Sequence, residues 1–199
     1  YSEGDAETIP HVWLEDVSSI RRPYFEDYSG NATLTIAGND VKKFTTSNVI
    51  GYVEGTDPEL KNEYVIYSAH YDHVGVGDAD MEGDSIFNGT RDNAIGTVTV
   101  LKAAENISKY PLKRSALFIF FTGEEKGLLG SEWYAEHSVV PLNQIVYCFN
   151  SDNGGYNDIT AATIIGIERT TADVELRKAC ETYGLKATAD PVPEQNLFD

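Results

Sequence analysis

Strands and helices alternate along most of this chain, and that alternation constrains its fold more than any other feature. Three short runs, 64–69, 116–121 and 144–150, are rich in apolar, β-branched and aromatic residues and have the length of buried strands. Residues 94–107 and 127–137, which follow the first two, carry apolar residues at helical spacing. This order predicts an α/β fold with a mixed, largely parallel central β-sheet and helices on both faces.

Weaker patterns extend the alternation toward both ends. Residues 45–54 alternate as a strand does, residues 160–167 indicate a further strand, and residues 171–183 indicate a helix. Residues 1–40 are polar and have few clear periods. We therefore expect residues 1–40 to be an N-terminal extension, or the tail of a preceding or inserted domain, and residues 41–199 to form the functional domain.

The charge balance excludes one class of partner. The 199 residues include 32 Asp and Glu but only 15 Lys and Arg, so the formal net charge is −17. A nucleic-acid-binding protein needs a basic surface, which this sequence does not offer, so we expect no nucleic-acid partner. No apolar run has the length of a membrane span either, so we expect no membrane-spanning segment.

Residue types that bind metals follow each of the three buried strands. In open α/β sheets, ligands bind beyond the carboxyl ends of the strands. The residues at these positions, together with one loop that enters the helix at 94–107, are His70, Asp72 and His73 after the first strand, Asp92 in the loop, Glu124 and Glu125 after the second strand, and Asp152 after the third. Each has an ordinary explanation by itself, such as a helix cap or a solvated turn. Their recurrence at one edge of the sheet instead predicts a metal site.

The order and content of these segments resemble metallopeptidase family 28, which includes bacterial zinc aminopeptidases and glutamate carboxypeptidase II. The resemblance covers about residues 45–199. Its matching stretches are SAHYDH at 68–73, NGTRDNA at 88–94, TGEEKGLLGS at 122–131 and NSD at 150–152. The resemblance implies a zinc exopeptidase that takes peptide substrates and lies outside the cytoplasm, either secreted or in the periplasm or cell envelope.

The resemblance also implies which residues bind two zinc ions. His70 and Asp152 would be ligands of the first zinc, and Glu125 a ligand of the second. Asp92 would bridge the two ions, and its peptide bond to Asn93 would be cis. Imidazole and carboxylate groups are suitable zinc ligands, and one short carboxylate can bridge two ions about 3.5–4 Å apart.

Two further carboxylates would serve the reaction without binding metal. Glu124 would be the general base, which takes a proton from the metal-bound water and later delivers it to the leaving amine. Asp72 would orient His70 by accepting its second ring N–H.

The last ligand of the second zinc has no match in this sequence. The family supplies a histidine well after the third strand, so we expect this ligand beyond Asp199 and the catalytic domain at 41–199 to be incomplete at its C-terminus. His11 does not occupy the ligand's place, and His137 fits a solvated position on a helix. For His73, a position lining the site and a position away from it both remain open.

The leading functional prediction is an aminopeptidase, and several alternatives remain. A glutamate-carboxypeptidase-like or dipeptidase activity would use the same motifs. A glutaminyl cyclase has the same fold but binds one zinc and generally lacks the first histidine, whereas His70 is present here. An inactive fragment or binding module would not need to retain every other ligand.

Overall fold

A four-stranded β-sheet forms the centre of the protein. The structure is a computed structural model that describes residues 45–154 and 158–190. In chain order, the strands are β1 Val49–Val53, β2 Tyr64–His70, β3 Gly75–Val76, β4 Ile86–Phe87, β5 Ser115–Phe121, β6 Ile145–Asn150, β7 Ala161–Ile164 and β8 Lys186–Ala189, and the α-helices are α1 Ile95–Lys109, α2 Leu129–Glu136 and α3 Asp173–Thr182. The sheet has the order β1-β5-β2-β6. β2 is parallel to β5 and β6, whereas β1 is antiparallel to β5, so the predicted mixed, largely parallel sheet is confirmed.

Helices cover both faces of this sheet, as the almost continuous burial of β5 requires. Leu117 and Phe121 pack on one face in a cluster that includes Tyr134 of α2. Phe118 packs on the other face in a cluster that includes Val100 of α1. The apolar positions of the two helices therefore meet opposite faces of the same strand.

The strand register brings three chain segments to one edge of the sheet. His70, the last residue of β2, pairs with Phe121, the last residue of β5. Ser68, near the end of β2, pairs with Asn150, the last residue of β6. The loops that follow the three parallel strands therefore leave the sheet side by side, as the sequence motifs predict.

Two smaller sheets lie outside the central one. β7 and β8 pair in parallel, and β3 and β4 form a short antiparallel pair. The strand predicted within 160–167 is present as β7. β3 and β4, of two residues each, are too short to give a recognisable period. The predicted segment 1–40 lies outside the described residues. Within the described part of the chain, no helix has the length and apolar character needed to cross a membrane.

Candidate metal centre

The residues predicted for the site meet at the carboxyl edge of the central sheet. They lie on four segments: His70, Asp72 and His73 at and after the end of β2, Asp92 in a turn at Thr90–Ala94 that leads into α1, Glu124 and Glu125 in a short 3-10 helix at Glu124–Lys126 after β5, and Asp152 after β6. The Asp92–Asn93 peptide bond is cis, as the resemblance implied.

A first group of three side chains surrounds His70. Nε2 of His70 lies 3.2 Å from Oδ1 of Asp152 and 3.8 Å from Oε2 of Glu124. One ligand atom from each residue lies within 4.8 Å of the other two. The side chains of His70 and Asp152 are 1% and 5% exposed, so this group is shielded from bulk water.

A second group consists of His73, Asp92 and Glu125. Nδ1 of His73 lies 2.6 Å from Oε1 of Glu125. One ligand atom from each of the three residues again lies within 4.8 Å of the others. The structure therefore places His73, whose position the sequence left open, beside two predicted ligands.

Asp92 lies between the two groups and has an unsatisfied oxygen. Its Oδ1 is 3.0 Å from Nε2 of His70. This contact lacks hydrogen-bond geometry, and Oδ1 is buried with no hydrogen-bond partner among the described residues. A buried carboxylate oxygen without a partner is costly, and a bound cation would remove that cost. The mixture of imidazole and carboxylate donors also suits zinc, so the residues fit the metal that the motifs imply.

His70 is held in its charged form when no metal is bound. Burial lowers the pKa of His70, but the hydrogen bond and charge of Asp152 and the charge of Glu124 outweigh burial and raise the pKa to about 9. Nδ1 of the ring donates to the backbone oxygen of Asp72 at 3.2 Å. That bond leaves Nε2 directed at the carboxylates, so Nε2 is the nitrogen available to a metal.

The raised pKa of His70 predicts how the stability of the metal-free protein depends on pH. The pKa rises from 6.5 to about 9 on folding, so the folded state binds this proton more tightly. The stabilisation is fully present below about pH 6.5 and is lost as pH rises through about 9. We expect the denaturation midpoint of chelator-treated protein to fall across this window, and the fall to be smaller in His70→Gln. A midpoint that rises with pH in the wild type would contradict the prediction.

Asp72 contacts the site differently from the arrangement predicted from the sequence. Its Oδ1 lies 3.7 Å from Nδ1 of His70, too far for the predicted hydrogen bond. The carboxylate instead accepts the backbone N–H groups of Glu124 and Glu125, at 3.2 and 3.4 Å. Asp72 thus touches His70 through its carbonyl and supports the Glu124–Glu125 turn through its carboxylate.

Asn93 holds the loop after β6 against the start of α1. Its side chain is 2% exposed, donates to the backbone oxygen of Ser151 at 2.9 Å and accepts the backbone N–H of Gly96 at 3.0 Å. A Cβ at Gly96 would lie 2.2 Å from Oδ1 of Asn93, so only glycine fits there. Asn93 belongs to the matched motif, but no sequence signal indicates its partner.

Asn48 performs a similar function for the turn at Glu124–Lys126, called the glutamate turn below. Its side chain donates to the backbone oxygen of Gly130 at 2.8 Å and accepts the backbone N–H of Thr122 at 3.1 Å. These bonds fix the end of β5 relative to α2, and the turn that carries Glu124 lies between them. Sequence reasoning missed Asn48, because its partners are more than 70 residues away in the chain.

Of the two remaining histidines, His137 does not join the described site. His137 follows α2. Its ring stacks on Trp133, and its Nδ1 forms a hydrogen bond with the backbone oxygen of that residue. It is exposed, as the sequence predicted. His11 lies outside the described residues.

Comparison with known proteins shows which sequences this chain is similar to. The model of peptidase family M28 matches residues 48–199. The chain is 34% identical over 109 residues to a probable leucine aminopeptidase 2 of Aspergillus oryzae. This alignment covers 54% of this chain and 19% of the relative. It is 29% identical over 165 residues to a probable leucine aminopeptidase of Trichophyton verrucosum, with 80% of this chain and 43% of the relative covered.

The fold is likewise similar to that of solved structures. A zinc aminopeptidase from Bacillus subtilis matches with a TM-score of 0.56 and 28% identity, over 71% of this chain and 34% of that chain. The chain thus spans less than half the length of each of these three relatives. Because the family model covers most of its sequence, including all four segments of the candidate site, the chain belongs to peptidase family M28.

Proposed function

We propose that the protein is a zinc-dependent exopeptidase, an aminopeptidase that hydrolyses the N-terminal bond of peptides. The observation that carries the proposal is the pair of three-residue donor groups joined at Asp92, whose buried Oδ1 has no hydrogen-bond partner among the described residues. Membership of a peptidase family and likeness to proteins named leucine aminopeptidase and zinc aminopeptidase support the same function.

The two donor groups divide the ligand roles as follows. His70 and Asp152 would hold one zinc ion, Glu125 would hold a second, and Asp92 would contact both. Zinc ions bound there would polarise the scissile carbonyl and lower the pKa of a water, which provides a nucleophile at neutral pH. The low exposure of His70 and Asp152 strengthens the electrostatic interactions among these groups.

Glu124 would be the general base. Its Oε2 is 3.8 Å from Nε2 of His70, farther than the nearest oxygens of Asp92 at 3.0 Å and Asp152 at 3.2 Å. Glu124 is therefore held less closely to His70 than the two proposed ligands are. Asp72, through its bonds to the backbone of the glutamate turn, would hold Glu124 in the position from which it moves the proton.

The substrate should be a peptide with a free N-terminus. Likeness to proteins named leucine aminopeptidase and zinc aminopeptidase supports this substrate class. We expect N-acetylation of a peptide to lower kcat/KM by at least about 10–100-fold, which corresponds to the ~1.5–3 kcal/mol that a hydrogen bond to a charged group contributes. The measurement compares free and acetylated forms of one peptide with mass-spectrometric identification of the products.

The same assay separates the alternatives. Release of residues from the carboxyl end, or equal cleavage of both forms, would move the protein to the glutamate-carboxypeptidase-like activities. Loss of ammonia from a peptide with an N-terminal glutamine, without hydrolysis, would identify a glutaminyl cyclase. Absence of any turnover by a zinc-loaded protein would favour a binding module. A secreted or cell-envelope location stays a prediction.

A further inference from the structure

We propose that Asn153 is a positioning residue for the metal centre, and that its side-chain amide holds the carboxylate of Asp152 in place. The inference rests on the proposed function, because it takes Asp152 as a zinc ligand. Asn153 follows the last matched motif, residues 150–152, so its role comes from the structure and not from the motifs.

The side chain of Asn153 contacts the carboxylate of Asp152 directly. Nδ2 of Asn153 donates to Oδ1 of Asp152 at 3.2 Å. The same oxygen lies 3.2 Å from Nε2 of His70. A donor on one oxygen restricts the rotation of the whole carboxylate, and partners of this kind orient the carboxylates that bind metals. The amide thus keeps Oδ1 turned toward the histidine.

This hydrogen bond matters most when a metal is bound. A cation on Nε2 of His70 would take that nitrogen away from Asp152. Within the described part of the chain, the amide of Asn153 is then the donor that remains on the carboxylate. The side chain of Asp152 is only 5% exposed, so solvent has little access with which to replace the amide.

The backbone of Asn153 has a conformation that few residue types adopt. Its φ is 51°, in the left-handed region, where asparagine is several-fold enriched among residues other than glycine. The short polar side chain of asparagine can form a hydrogen bond close to its own backbone, which offsets the cost of this conformation. Asn153 therefore combines tolerance of the turn with the donor that Asp152 needs.

The backbone before Asp152 is fixed by other residues. The backbone N–H of Ser151 donates to the backbone oxygen of Ser68 at 2.9 Å, and the backbone oxygen of Ser151 accepts Nδ2 of Asn93 at 2.9 Å. These bonds place the chain but do not touch the carboxylate. The rotation of the Asp152 side chain is the freedom that they leave, and it is the freedom that Asn153 removes.

The test measures metal affinity and site geometry and does not depend on activity. Metal-free wild type and variants are titrated with zinc against a chromophoric chelator, and then with cobalt(II), whose visible absorption bands report the coordination geometry. Asn153→Gly and Asn153→Ala both remove the amide but act oppositely on the backbone. Glycine adopts a positive φ freely, whereas alanine is strained there but does not loosen the loop. A loss shared by both variants is therefore due to the amide.

Two further variants calibrate the titration. Asp152→Asn removes the proposed ligand and identifies the zinc equivalent that depends on it. Asn143→Gly is the matched control, because Asn143 is exposed in a short 3-10 helix, Leu142–Gln144, that precedes β6, whereas the site follows β6. Equal unfolding midpoints of the metal-free proteins show that the fold is preserved.

We expect both Asn153 variants to weaken the same zinc equivalent as Asp152→Asn does. The affinity for that equivalent should fall by about 10–100-fold, the usual effect of losing a partner of a metal ligand. The cobalt bands of both variants should shift, because the carboxylate is free to rotate. Asn143→Gly should match the wild type in affinity and in spectrum.

The outcomes distinguish the failure of this inference from the failure of the proposed function. If both Asn153 variants lose less than about tenfold in affinity and keep the wild-type cobalt bands, Asn153 does not position Asp152 and the zinc peptidase proposal stands. A loss in only one of the two variants would trace to the backbone and also overturn the inference. Wild-type zinc binding by Asp152→Asn would remove the ligand role on which the inference rests. A wild type that binds no zinc overturns the proposed function.

Discussion

Replacing Asp92 with alanine should abolish peptidase activity while the protein remains folded. Asp92 lies in the second donor group, and its Oδ1 also lies 3.0 Å from His70 in the first. The substitution would remove a ligand from both zinc positions at once. Loss of even about 4 kcal/mol of the several that metal ions contribute to transition-state stabilisation lowers the rate by about 10³-fold.

The fold should tolerate this change, because the buried Oδ1 of Asp92 supplies no hydrogen bond to the described structure. Zinc content and kcat/KM are measured on the same preparation. Asp78→Ala is the matched control, because Asp78 is exposed in the loop between β3 and β4 and should change neither quantity. Wild-type zinc content and activity in Asp92→Ala would show that the two positions are not joined by this carboxylate.

Replacing Glu124 with glutamine should separate metal binding from catalysis. Glutamine has the shape of glutamate but cannot accept the proton, so the loss should match the ~10²–10⁴-fold that general acid–base catalysis contributes. Zinc content should stay at the wild-type value, because Glu124 is proposed to face a water and not a metal. The backbone bonds from Asp72 to the turn do not involve the side chain of Glu124, so the turn should keep its position.

Glu125→Gln is the control for this experiment, since the adjacent residue is proposed as a ligand. It should lose zinc from the second position together with activity. If Glu124→Gln loses zinc and Glu125→Gln keeps it, the two roles are exchanged. That result is chemically possible, because Oε2 of Glu124 lies close enough to His70 and Asp152 to share an ion with them.

Much of the scaffold could be predicted because its signals are local. A buried strand such as β5 needs a run of apolar residues, and Ser115–Phe121 provides one whose faces meet two different helices. α1 begins at Ile95 and α2 ends at Glu136, close to the predicted limits. The weaker signals were less exact: the strand predicted at 45–54 is only Val49–Val53, and its antiparallel direction is not encoded in its alternation.

The sequence by itself determined which residues stand at the candidate site, because the carboxyl ends of parallel strands meet at one edge. His70 ends such a strand, and Glu124, Glu125 and Asp152 follow one. The tertiary structure alone decided their partners. His73 and Glu125 are 52 residues apart in the chain, and they come within 2.6 Å only because β2 and β5 pair in register. Tertiary structure also decided the partner of the Asp72 carboxylate, which was predicted to bond to the ring of His70. It bonds instead to the two backbone N–H groups of Glu124 and Glu125, which lie within its reach. Such contacts depend on the relative placement of distant loops, which no local pattern of residues records.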